Sequence, residues 1–206
     1  MRELGPQNVR DLALGAAVLG TGGGGDPYIG MLMAIQAIEE YGPVKLYALD
    51  EIDDNSLIVP SAMMGAPTVT VEKLPRGDEI VKAFQALESY LGHKIDYTMP
   101  IEAGGMNSTT PLTVAARLNL PLVDCDGMGR AFPEIPMVTH TLYGLSATPF
   151  AMADEKGNSA SFSTRSLTNG PKRLRAHSPW IWAARRSSRA MRRVVSNSRR
   201  LLSRAA

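Results

Sequence analysis

The sequence predicts an α/β domain over residues 1–162, a partly parallel sheet with flanking helices and a terminal antiparallel hairpin, followed by an irregular C-terminal tail. Three observations predict it. Short apolar runs alternate with stretches of helical periodicity from about residue 8 to residue 124, the pattern of parallel strands joined by helical crossovers. Thr, Val, Tyr and Phe with turn residues dominate 136–162, a composition of antiparallel strands. All 20 acidic residues lie at or before Glu155, whereas 12 of the 22 Lys and Arg lie between Arg165 and Arg204. Ten basic residues therefore face 20 acids upstream, a formal charge near −10, and the overall +2 averages two unlike pieces.

Each element has a local reason. Asn8 is placed to cap a first helix, with Asp11 where a capping-box acid would sit; Val9, Leu12, Ala13, Ala16, Ala17 and Leu19 recur at helical spacing up to Gly20. After the glycine run Gly22 to Gly25, Asp26-Pro27 is an N-cap with a preorganised first residue, and a second helix is predicted from Pro27 to Tyr41. Val44 to Leu49 alternates as a strand, and Leu57 to Pro60 is a short apolar run ending in small residues. Thr68 to Val71 is β-branched, and a helix follows over Asp78 to Leu91 with Ile80, Val81, Phe84, Leu87 and Leu91 inward. Ile95 to Ile101 reads as a strand, Pro111 to Leu118 as a helix, and Pro121 to Asp124 as a further short strand. The hairpin turn is expected at Asp154-Glu-Lys-Gly157, with His140 in a strand before it.

Cys125 is the single cysteine, which excludes a disulfide framework and a cysteine-rich zinc module. The first 20 residues lack the cationic start and apolar run of a secretory signal. No stretch approaches the roughly 18–20 apolar residues of a membrane span. A cytoplasmic protein with no membrane partner is expected.

The tail admits three main readings, and a fourth, a membrane-surface helix suggested by Arg192-Arg193 and Arg199-Arg200 on an apolar-dotted segment, ranks below them. A dense basic segment gains from phosphate neutralisation, so a nucleic-acid arm is one; a solvated tail is another. The third is translation in a shifted frame. Trp180-Ile181-Trp182-Ala183, read one base earlier, permits Val-Asp-Met-Gly, and Asn169 to Lys172 permits Lys-Trp-Ala-Glu. The reading adopted is that 163–206 is frameshifted and lies outside the fold, with no nucleic-acid partner.

Three motifs can carry chemistry. Thr21-Gly22-Gly23-Gly24-Gly25-Asp26 joins two helices, so its backbone amides and the next helix dipole could meet a ligand, or its glycines could simply permit close packing. Glu102, Gly104-Gly105 and Asn107-Ser108 follow a strand, where α/β sheets bind ligands; Asn107 or Ser108 could equally cap the next helix. Asp124-Cys125-Asp126-Gly127-Met128-Gly129-Arg130 could hold a divalent cation or orient a polar substrate, or form an Asx turn with a surface ion pair. Alternate residues of an extended chain face opposite ways, so Asp124 and Asp126 share a site only if the chain bends at Gly127. Cys125 reads as a buried inert thiol, His140 as a structural histidine, and His93 as exposed.

Leu19 to Pro27, Pro60 to Pro67 and Pro121 to Glu134 together resemble the N-terminal domain of the S-methyl thiohydantoin desulfurase family, a hydantoinase-associated group, over about residues 5–162. The resemblance implies an α/β domain and hydrolase-like chemistry on a thiohydantoin or hydantoin-like ring. Its polar motif residues fall on Asp26, Glu102, Asn107, Asp124, Asp126, Arg130 and Glu134. Family members continue into a further C-terminal domain, so the chain is expected to be truncated; they also continue with the two strings the shifted frame permits. Cys125 stands where a small residue is expected, which argues against a thiol nucleophile.

The expected site therefore has Glu102, Asp124 and Asp126 as catalytic carboxylates, and Gly23, Gly24, Asp26, Asn107 and Arg130 binding a small-molecule substrate. The alternative is a non-catalytic ligand-binding or docking module for a hydantoinase-type subunit.

Overall fold

The computed structural model describes residues 1–65, 76–163, 180–184 and 186–187. Strands β1 (Arg2–Leu4), β2 (Val44–Tyr47), β3 (Leu57–Met64), β4 (Tyr97–Pro100), β5 (Leu122–Val123), β6 (Phe150–Ala153), β7 (Ser159–Phe162), β8 (Trp180–Ala184) and β9 (Arg186–Ser187) form one sheet. Helices α1 (Pro6–Gly20), α2 (Pro27–Tyr41), α3 (Glu79–Leu91) and α4 (Thr110–Leu118) accompany it. The strand order is β1-β2-β5-β4-β3-β8-β6-β7, with β9 also on β3. The centre, β2-β5-β4-β3, is parallel; β1 and the β6–β7 hairpin add antiparallel edges.

Side-chain alternation along the strands divides the core. Leu57 and Val59 face Ile80, Phe84 and Leu87 of α3 and Val114 of α4, while Leu46 and Leu122 face α2 and α4. Each fully buried side chain of this kind contributes about 1.5–3 kcal/mol. The intervening residues Ile58, Met99 and Val123 point to the opposite face and pack on Ile52, Tyr47 and Tyr97. Further along that face, Ala62, Ile101, Phe150 and Met152 pack under Val138 and Phe132. The helices thus pack on one face, and loop segments cover the other.

Most predicted elements fall within a residue or two of the observed ones, with several differences. The first helix begins at Pro6, whose ring presets the first-turn φ; Asn8 is not the cap residue but reaches back, its Oδ1 accepting from Gly5 N–H at 2.9 Å. Strand β1 pairs in register with β2 although nothing in its three residues announces a strand. β3 runs on through Ser61 to Met64, because Ser61 Oγ and Thr98 Oγ1 pair across the sheet at 3.1 Å and keep small polar side chains satisfied in the core. His140 is in a 3₁₀ turn, Thr139–Tyr143, not a strand. The predicted strand Thr68 to Val71 lies outside the described residues. Of the tail read as irregular and outside the fold, Trp180–Ala184 pairs with both β3 and β6, and Arg186–Ser187 with β3. Backbone N–H and C=O groups along the flanks of β3 and β6 require partners whatever the side chains of the pairing strand. The remaining tail residues lie outside the described ones.

Candidate active site

Glu102 follows the carboxyl end of β4, one residue past the apolar Ile101 that anchors the chain in the core. It is 4 % exposed. Its Oε1 accepts from Asn107 Nδ2 at 2.6 Å, and its Oε2 from the Phe132 N–H at 2.9 Å. Burial pushes the carboxyl above the usual glutamate range; the Asn107 and Phe132 donors oppose that push, and the charge of Asp126 adds to it.

Three loops, far apart in sequence, meet around this carboxylate. The glycine run after α1 docks on the loop after β4: Met106 N–H donates to Gly24 O at 3.0 Å and Gly105 N–H to Gly23 O at 3.4 Å. A Cβ on Gly105 would lie 1.9 Å from Gly25 O, and one on Gly24, which also has φ +77°, 2.9 Å from Gly104 Cα. Only glycine allows backbones so close. The third loop, after β5, closes from the other side. Gly127 N–H donates to Ile101 O at 3.0 Å, and a Cβ on Gly23 would lie 2.8 Å from Ala131 Cβ. Here the glycine run presents carbonyls to a neighbouring loop, the close-packing alternative of the sequence reading.

The expected site residues divide accordingly. Glu102, Asn107, Gly23 and Gly24 come together, with Asp126 near enough for its charge to act on Glu102. Asp126 Oδ2 accepts from Met128 N–H at 3.1 Å and Gly129 N–H at 2.5 Å, an Asx turn that bends the chain. Asp124 points elsewhere: its side chain is 65 % exposed and sits 3.8 Å from Arg2 Nη2. Asp26 is exposed and caps α2 through Tyr28 N–H at 2.9 Å. Arg130 is exposed on the third loop, and Glu134 is half-buried. Asn107 is not a helix cap; the cap position of α4 is Thr109, whose Oγ1 donates to Met106 O at 2.9 Å. Among the described residues no three His, Cys, Asp or Glu side chains are grouped to hold a metal.

Cys125 Sγ turns inward to Met99 Sδ at 3.7 Å. Burial, with the charges of Asp126 and Asp124, pushes the thiol up to about 12. His140 is fully buried, and its Cε1 would lie 3.1 Å from a Cβ on Gly127; sequence spacing gave no hint of that proximity. The Phe132 N–H was also missed, since backbone donors carry no side-chain signature. A groove of about 420 Å³, lined by Asp53, Asn55, Ser56, Asp96 and Tyr97, lies at the opposite, amino ends of β3 and β4.

The fold and site define an α/β domain with a buried carboxylate and carboxamide pair at the carboxyl ends of parallel strands. The chain belongs to the S-Me-THD-like family, residues 7–164 matching its N-terminal domain. A crystal structure of a protein from Chromobacterium violaceum is similar, with 26 % identity and a TM-score of 0.74 over 100 % of this chain and 63 % of that one. The chain thus spans less than two thirds of that relative's length. A search of curated proteins finds no match. Among the described residues no helix is long and apolar enough to cross a membrane.

Proposed function

We propose that the chain is the N-terminal part of a hydrolase-like enzyme in which Glu102 transfers a proton during attack of water on a hydantoin or S-methyl thiohydantoin type of ring. The supporting observation is a buried carboxylate, oriented by two donors, whose proton affinity is raised toward the operating range of a general base. In the sulfur case the water oxygen bonds to the S-bearing ring carbon and Glu102 accepts the water proton. As the water adds, the C=N electron pair moves to the ring nitrogen. The carbon–sulfur bond then breaks, the departing thiolate takes the proton held by Glu102, and the remaining hydroxyl proton passes to the ring nitrogen, leaving a ring carbonyl, a ring N–H and methanethiol. Asp126 supplies a second negative charge beside Glu102, and in this reading Arg130, exposed on the third loop, would meet a polarised ring oxygen. Asp124 and Asp26, occupied at the surface, serve this site only through the loops they hold.

Thiol release from S-methyl thiohydantoin by the full chain tests this, with Glu102→Gln expected to lower kcat by about 10²–10⁴-fold. Turnover that survives the substitution refutes the role of Glu102. A second reading, a partner-docking module of a hydantoinase-type complex, is favoured by the outer face of α1, where Leu14 and Val18 are 72 % and 70 % exposed one turn apart. Binding of the ring without turnover, or stable capture of a hydantoinase subunit, supports it.

The domain boundary near residue 162 and the frameshifted origin of 163–206 are part of the same proposal. The shifted reading puts Val-Asp-Met-Gly in the slot that Trp180–Ala184 occupies between β3 and β6. Immediate stop codons one base earlier, beyond about residue 163, would falsify it.

A further inference from the structure

We infer that Asn107 is a positioning residue: its carboxamide ties the Glu102 carboxylate to the end of β3 and fixes the direction in which Glu102 exchanges a proton. This rests on the reading of Glu102 as the proton-transfer group. Asn107 is buried in the loop between β4 and α4. Its Oδ1 accepts from Met63 N–H at 2.7 Å and its Nδ2 donates to Met63 O at 3.3 Å, so the side chain extends β3 as a strand neighbour would. The other Nδ2 hydrogen goes to Glu102 Oε1 at 2.6 Å.

The pairing fixes the orientation of the amide. With Oδ1 held by a backbone donor, the two Nδ2 hydrogens can serve only Met63 O and Glu102. Aspartate has the fork but no donor, and serine has one donor and no fork. The remaining Glu102 oxygen is held by Phe132 N–H, and the charge acting on the group is that of Asp126. An acceptor that carries charge strengthens such a bond, so Asn107 favours ionised Glu102 against the burial that disfavours it. Asn107 therefore acts on Glu102 and does not itself contact substrate.

The test uses the full chain with labelled side chains. The Asn107 Nδ2 hydrogens are followed by NMR from acid to neutral pH, beside the Glu102 carboxyl carbon. Both are expected to move with one midpoint, and the Asn107 shift to vanish in Glu102→Gln. Asn107→Asp is expected to move the Glu102 midpoint upward, since a donor is replaced by a carboxylate. An Asn107 amide that stays still while Glu102 titrates overturns the inference, as does an unchanged midpoint in folded Asn107→Asp. The amide measurement needs no Asn107 variant, so it stands if that variant fails to fold. Because the readout is titration, absence of ring turnover would refute the proposed function while leaving these shifts in place.

Discussion

Replacing Gly105 with Ala probes the docking of the first two loops. The added Cβ would sit 1.9 Å from Gly25 O, 3.0 Å from Gly25 C and 3.2 Å from Pro27 Cδ. An ordinary carbon-to-oxygen contact needs about 3.3 Å, so the loops must part by more than about 1 Å. That separation removes the Met106-to-Gly24 and Gly105-to-Gly23 hydrogen bonds, worth about 1 kcal/mol each. Residual overpacking adds about 1–3 kcal/mol. The sum, about 3–5 kcal/mol, corresponds to a melting temperature lower by roughly 6–20 °C for a domain of this size. Circular dichroism melts read it directly. Gly15→Ala is the control: Gly15 lies in α1, is exposed, and a Cβ added there would meet nothing within 4 Å, so the variant should gain about 0.5–1 kcal/mol. A Gly105→Ala protein that melts within about 2 °C of the parent refutes the docking.

Three other outcomes are expected. Glu102 has a folded-state pKa above its unfolded value, so its favourable contribution is full below the unfolded pKa and is lost as pH rises through the folded one. Urea titrations should therefore show the parent gaining stability relative to Glu102→Gln as pH falls through that window; the opposite slope would contradict the raised pKa. Asp26→Ala should lose about 1 kcal/mol of stability, the value of the Tyr28 N–H cap, and an unchanged urea midpoint would dismiss that cap. Cys125, its thiol pushed up to about 12, should resist alkylation at pH 8 until the protein is unfolded, and rapid labelling of the native chain would show an exposed thiolate.

The parallel core was legible because its signals are local and periodic. Val44, Leu46, Leu57, Val59 and the α3 face at Ile80, Phe84 and Leu87 announce themselves through apolar spacing, and Asp26-Pro27 through cap chemistry. β1 was not, since a three-residue edge strand exists only through its partner. For the site, Glu102 was visible as a carboxylate after a strand, with Asn107, Asp126 and the glycine run expected beside it, but the Phe132 donor was not, nor which of the expected companions turn away. Whether Asp124 or Asp126 lies beside it depends on the bend that the Met128 and Gly129 amides impose on Asp126. The role of Asn107 depends on Met63, 44 residues away. The glycine run carried a pattern consistent with both an amide cradle and a packing turn, and the direction of its carbonyls is a tertiary property.

One titration bears on the whole account: the carboxyl carbon of Glu102 in the intact chain, assigned by its disappearance in Glu102→Gln. Convergence of the three loops over a buried acid predicts a midpoint clearly above 4.5, the ordinary glutamate value. A midpoint at or below that value would mean a solvated carboxylate, and the loops would not enclose it.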